Sequence, residues 1–323
     1  MIIHSHVKQH EVVPQSPEQG DCARPMFSAS LLKSWLVPSI AIIAGVFVGR
    51  ENSSLGSWAF LASVAFMGLP HGGCDPWLPY WLGKRRGEFG VVMGLYLTLV
   101  AVMAALWWLS SNAAIIVFLA ITAWHWGSTD ARWLGIGRGR LWGLGRGLFI
   151  IGASVGWQPT SSTVFFKMLG ATTPFLESLT ASSFWIGFLG IGLEYFALSL
   201  SRQRSWLAAV VESVGLICLF SMVHPLLAIT AYYAGTHAFR SIEIIGPWLP
   251  LWCRRRPLLG FHLAAAPGAL AVLVLLPLCA ALVPSSTQGY ERWVAAYFVL
   301  LSILTLPHAI LFAMLPLPQS QST

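Results

Sequence analysis

HPLLAITAYYAGTHAFRSIEII, residues 224–245, decides how this chain is read. The stretch has the length of a bilayer-crossing helix, which needs about 20 apolar residues. Yet it carries His237 in its interior and Arg240 one turn later. A polar side chain within a bilayer is costly and calls for a reason. Three other apolar stretches repeat the feature: GLPHGGCD around His71, AWHWGSTD around His125 and TLPHAIL around His308.

Composition sets the context. The 323 residues are 56% hydrophobic and only 10% charged, with mean hydropathy +0.69. Soluble domains carry roughly 25% charged residues, so the chain reads as a polytopic membrane protein. Its net charge of +7 is not a nucleic-acid signal, because the arginines fall in short loops between apolar runs. Cys22, Cys74, Cys218, Cys253 and Cys279 are scattered and form no CxxC, so neither a disulfide frame nor a zinc knuckle is indicated. Residues 1–30 are polar and lack the basic start and apolar core of a signal peptide. They read as a disordered cytoplasmic tail in which His4, His6 and His10 are solvated.

Counting apolar runs predicts spans at about 34–49, 55–71, 89–110, 112–127, 142–157, 183–200, 205–222, 224–245, 258–283 and 291–314. The fifth is the weakest, being glycine-rich and carrying Arg146. Residues 158–182 read as an outer-side interfacial or re-entrant segment. Lys84, Arg85 and Arg86, then Arg132, Arg138 and Arg140, then Arg202 and Arg204, then Arg254, Arg255 and Arg256 all fall on one side of this arrangement. The opposite loops hold little beyond Arg50, Lys167 and Arg292. Positive loops mark the cytoplasmic side. The expectation is an all-α, polytopic transmembrane helix bundle of about ten spans, multi-pass in the cell (inner) membrane, with both termini cytoplasmic. Residues 31–315 then form one integral-membrane domain.

In that topology spans two, four, eight and ten run in the same direction, and the four histidines lie roughly 20–24 Å into them at 1.5 Å per residue. Four imidazoles at one depth point to a shared site of His71, His125, His237 and His308. A site built of histidine suits iron, copper or zinc rather than calcium or magnesium. Asp75 follows His71 by four and Asp130 follows His125 by five. A carboxylate so placed orients a ligand histidine through its second ring nitrogen, or caps a helix end. Arg240 and Glu243 have the spacing of an ion pair, while Arg240 also shares the face of His237. Trp124, Trp126, Phe66, Tyr232 and Tyr233 cluster near the histidines. Such aromatics form interfacial belts, and they also suit a slot for a long, flat, apolar substrate. His224 and His262 fall near span ends, as interfacial residues do. GIGRGR at 135–140 and GLGRG at 143–147 lack the strand–turn–helix context of a dinucleotide site. No nucleophile elbow is legible.

In order and spacing, the motifs from about residue 60 to 312 resemble the Brp/Blh family of membrane β-carotene 15,15′-dioxygenases. GLPHGGCD is similar to that family's PHGAxD, and WHWGSTD to its HFGxxD. HPLLAITAYYAGTHAFR and TLPHAIL match its P-x-x-A-F-x-x-Y-F-x-x-x-H-S-x-R-H and T-x-P-H. The resemblance implies an Fe(2+) enzyme that adds O₂ across the central double bond of β-carotene to give two retinal. It implies His71, His125 and His237 as iron ligands, a lipid-borne substrate and a rhodopsin as receiver of retinal. The family places a second histidine four residues after the one matching His237. Here that position is Ser241, and His308 stands at the depth to complete a four-histidine set.

Three other readings remain open. A non-enzymatic carotenoid- or retinal-binding protein assisting a rhodopsin draws its support from Ser241. A histidine-ligated di-iron oxidase needs HxxxH and HxxHH boxes, and the chain has only His6 and His10 in its tail. A transporter would show polar residues at several depths and repeated halves.

Overall fold

The computed structural model describes residues 29–48, 53–81, 86–136, 139–200, 206–249 and 257–315. Residues 1–28 of the polar N-terminal segment, and most of the arginine-bearing loops, lie outside the described residues. Among those described, every regular element is helical.

The helices are α1 (Ala29–Val48), α2 (Ser53–Ser63), α3 (Leu69–Gly73), α4 (Leu78–Trp81), α5 (Arg86–Leu109), α6 (Ser111–Leu134), α7 (Gly139–Gly156) and α8 (Pro159–Met168). They continue as α9 (Thr173–Ser199), α10 (Trp206–Met222), α11 (Pro225–Ala231), α12 (Phe239–Ile245), α13 (Pro257–Leu273), α14 (Leu276–Ala281) and α15 (Gly289–Ala313). Among the described residues, four stretches are long and apolar enough to cross a membrane: Gly87–Leu109, Thr173–Ser199, Leu258–Ala281 and Gly289–Ala313. Ala29–Gly45 and Trp206–Met222 are shorter apolar helices.

The second and eighth predicted spans are not continuous α-helices. A π turn at Val64–Gly68 joins α2 to α3, and another at Tyr232–Ala238 joins α11 to α12. The first has a local cause. Pro70 has no N–H, and its ring clashes with the carbonyl four residues back. That carbonyl, on Phe66, is taken up by His262 Nε2 of α13 at 2.8 Å. His71 follows this π turn, and His237 lies inside the other. Such insertions recur at functional sites because they re-aim side chains that a regular helix would hold elsewhere.

α6 has a well-made start and end. Ser110 Oγ accepts from the Ala113 N–H at 3.3 Å, and Gly135 closes the helix at φ 66°. α7, over the fifth of the predicted spans, is packed between α6 and α9 through backbone contacts. A methyl group on Gly147 would lie 1.8 Å from Ala123 O, and one on Gly190 of α9 would lie 2.2 Å from Phe149 N. Small residues let helices approach this closely, which is a main source of helix association in lipid. Arg146, the residue that weakens α7 on hydropathy, is fully buried. Its Nε lies 2.8 Å from Glu194 Oε1, and its guanidinium sits over the Trp142 ring at 4.6 Å. The charge faces its partner inside the protein, so α7 does not present it to lipid.

Candidate metal centre

α3, α6, the π turn before α12, and α15 each deliver one histidine to a common point. The ring centroids of His71 and His308 are 4.5 Å apart, those of His125 and His237 4.9 Å, and those of His125 and His308 5.0 Å. His71 and His237 are 5.4 Å apart. His71, His125 and His308 offer nitrogens that all lie within 4.8 Å of one another. His237 packs its ring against those of His71 and His125.

All four side chains are buried. Among the described residues, His71 Nδ1 and Nε2, His125 Nε2, His237 Nδ1 and His308 Nε2 have no hydrogen-bond partner. Leaving a buried polar atom unsatisfied costs about 1–3 kcal/mol. Several such nitrogens converging on one point fit a soft-to-borderline metal ion, for which neutral imidazole is the common ligand.

The carboxylates have different partners from those their spacing suggests. By spacing, Asp75 would either meet His71 or cap a helix end. Its Oδ1 instead accepts from His308 Nδ1 at 2.8 Å, and its Oδ2 accepts from the Tyr96 hydroxyl of α5 at 2.9 Å. With Nδ1 carrying the proton, His308 turns the lone pair of Nε2 towards the other histidines. Such an outer partner fixes both tautomer and ring orientation. The interruption at Asp75–Trp77, a 3₁₀ turn, breaks the regular helix on which an i+4 contact to His71 depends.

Asp130 lies beside Arg240 rather than His125. Arg240 Nη1 is 2.9 Å from Asp130 Oδ1, and the Tyr232 hydroxyl donates to Asp130 Oδ2 at 2.9 Å. Arg240 also pairs with Glu212 of α10 and stacks on the Trp133 ring at 4.3 Å. It is wholly buried, so it does not reach for the surface. Glu243, spaced to meet Arg240, accepts instead from Trp133 Nε1 and Ser30 Oγ, each at 2.8 Å. Ser241 Oγ donates to His237 O at 2.9 Å.

A cavity of about 650 Å³ adjoins the centre, and its walls are mostly apolar. Trp126, Tyr233, Thr122 and Thr305 line its histidine end. The rings of Trp126 and Tyr233 are 5.3 Å and 6.1 Å from that of His237. At the far end stand Gln158, Ser161 and His224. Of the five aromatics singled out in the sequence, Trp126 and Tyr233 line this cavity. Tyr232 is buried against Asp130, while Trp124 and Phe66 are exposed on the bundle surface, at 45% and 71%. Glu212, Glu194 and Tyr96 were not singled out. Acidic residues inside the apolar runs of α9 and α10 are themselves a signal of buried pairing.

A family profile described as beta-carotene 15,15′-dioxygenase matches residues 62–316. The chain is 25% identical to the probable beta-carotene 15,15′-dioxygenase Blh of Halobacterium salinarum, over 92% of this chain and 94% of that protein. It is 23% identical to the beta-carotene 15,15′-dioxygenase of an uncultured marine bacterium, 66A03, over 81% of this chain and 95% of the relative. No solved structure matches. The matched region contains all four converging histidines and both of their neighbouring aspartates, and on this match the chain belongs to the beta-carotene 15,15′-dioxygenase family.

Proposed function

We propose that this protein cleaves β-carotene at its 15,15′ double bond with O₂. The double bond breaks, each carbon takes one oxygen atom, and two molecules of retinal result. The observation that carries the reading is the convergence of four buried histidines, of which His71, His125 and His308 bring nitrogens within 4.8 Å of one another and His237 packs beside them. Fe(2+) is the proposed occupant, held by His71, His125 and His308, with His237 as a further ligand. When bound, it supplies the O₂ chemistry that side chains alone do not.

The protein's own contribution is orientation and exclusion of water. Asp75 aims His308, and the Asp130–Arg240 pair braces the segment that carries His237. Ser241 occupies the place of a family histidine, and His308, in the motif similar to the family's T-x-P-H, completes the proposed four-histidine set. The apolar cavity receives one half of the polyene and keeps it dry. β-Carotene dissolves in lipid and not in water, so a site inside a membrane bundle matches where the substrate resides. Placement as a ten-span inner-membrane protein with cytoplasmic termini, one catalytic domain over residues 31–315, and delivery of retinal to a rhodopsin are parts of the same proposal.

Ser241 favours a second reading, a carotenoid- or retinal-binding protein without turnover. Expression in cells that already make β-carotene separates the two. Loss of orange colour with retinal appearing on chromatography supports cleavage. Retained colour with the protein present in the membrane supports binding alone.

A further inference from the structure

The cavity lies on the side from which the histidine-bearing segments approach the centre. Each histidine-bearing segment contributes to it a residue that precedes its histidine, Phe60 before His71, Thr122 before His125, Tyr233 before His237 and Thr305 before His308, and Trp126 beside His125 adds to the wall. Past the histidines the packing is apolar. Leu78, Ile245, Leu311 and Leu315 pack there in a continuous buried cluster.

At the boundary stands Phe312, one turn after His308 and therefore on the same face of α15. It is 2% exposed. Its ring centroid is 5.4 Å from that of His125, 5.8 Å from His308 and 6.4 Å from His71. Arg132 holds it from behind, with the guanidinium carbon 5.8 Å from the ring centre and Nη1 donating to Phe312 O at 3.4 Å. A rigid aromatic ring thus closes the floor of the site opposite the cavity.

We propose that Phe312 is a specificity-determining residue, which limits how much of a polyene extends past the reacting double bond. This rests on the carotenoid-cleavage reading. A symmetric substrate cut at its centre must place half its length in the cavity and an equal half beyond the histidines. A polyene shortened on one side places the same ring-bearing half in the cavity and needs less room beyond Phe312. The side chain at this position therefore sets the preference between full-length and shortened carotenoids.

The test uses the full-length protein in detergent or lipid with two substrates, β-carotene and β-apo-8′-carotenal. They share one β-ionone half and differ in the length of the other. Shape changes of this size in an apolar pocket shift kcat/KM by about 10-fold or more. The ratio of kcat/KM for β-carotene over the apocarotenal should rise by about that factor in Phe312→Ala and fall in Phe312→Trp. Phe312→Leu serves if the alanine variant fails to accumulate. Metal content measured on each variant must match the parent. Equal changes for both substrates, leaving the ratio fixed, overturn the proposal.

If the parent protein turns over neither substrate, the cleavage reading falls. The ratio of the two pigments retained on purification, read by absorbance, then decides the role of Phe312 alone. A ratio unaltered by Phe312→Ala and Phe312→Trp rejects it, and a ratio that moves in opposite directions upholds it.

Discussion

Asp75 holds His308 through a 2.8 Å hydrogen bond from the imidazole Nδ1, although 233 residues separate the two in the chain. The contact leaves His308 Nε2 as the nitrogen facing the centre. Removing such an outer carboxylate costs 10–100-fold in metal affinity or activity in comparable sites, about 1.4–2.7 kcal/mol. Asp75→Asn should therefore weaken iron binding within that range while the protein still accumulates in the membrane. Competition titration against a chelator measures it. An unchanged affinity removes His308 from the ligand set.

Arg240 lies between two acids, Asp130 and Glu212, with all three side chains buried. Removing one partner of a buried ion pair costs about 3–5 kcal/mol, because a charge is left without compensation. Arg240→Met should lower thermal stability in detergent by an amount of that order. Neutralising both acids in the same chain, as Asp130→Asn with Glu212→Gln, should restore part of the loss. If the triple variant is no more stable than Arg240→Met, the cost came from packing against Trp133 and not from charge.

The convergence of the four histidines was legible in the sequence because it depends only on span boundaries and direction. Their partners were not. Local spacing pairs Asp75 with His71 and Arg240 with Glu243. The contacts that form run between helices far apart in sequence, to His308 and to Glu212, and no period along one helix encodes them. The π turn at Tyr232–Ala238 was equally hidden, because no proline marks the break there. At Pro70 the ring's clash with the carbonyl four residues back was a readable cause. Phe312 escaped notice for a different reason. A phenylalanine in an apolar helix carries no signal until its neighbours are known.

Gly147 gives a direct test of how α7 is held. A methyl group there would meet Ala123 O at 1.8 Å, so the two backbones must part. Overpacking of this kind costs about 1–3 kcal/mol. Gly147→Ala should lower the melting temperature. Gly94→Ala on α5, where an added methyl meets nothing within 4 Å, should be neutral or stabilising, because alanine is favoured over glycine in helices by roughly 0.5–1 kcal/mol. If both variants behave alike, the close approach of α6 and α7 is not what holds α7 in the bundle.

Ser241 separates the two routes by which this chain can complete a four-histidine shell. Its hydroxyl is engaged with the His237 carbonyl one turn back, as serine commonly does inside helices, and it offers no ligand to the centre. Ser241→Ala should then leave both iron stoichiometry and retinal production unchanged, whereas His308→Ala should lose both. Ser241→His restores the family pattern, but it inserts a ring where the side chain is fully buried. Forcing extra volume into such a position costs about 1–3 kcal/mol. With His308 already in place, the new imidazole should lower stability without adding bound iron. Metal analysis of the three variants decides it: iron lost in Ser241→Ala, or gained in Ser241→His, would remove His308 from the role given to it.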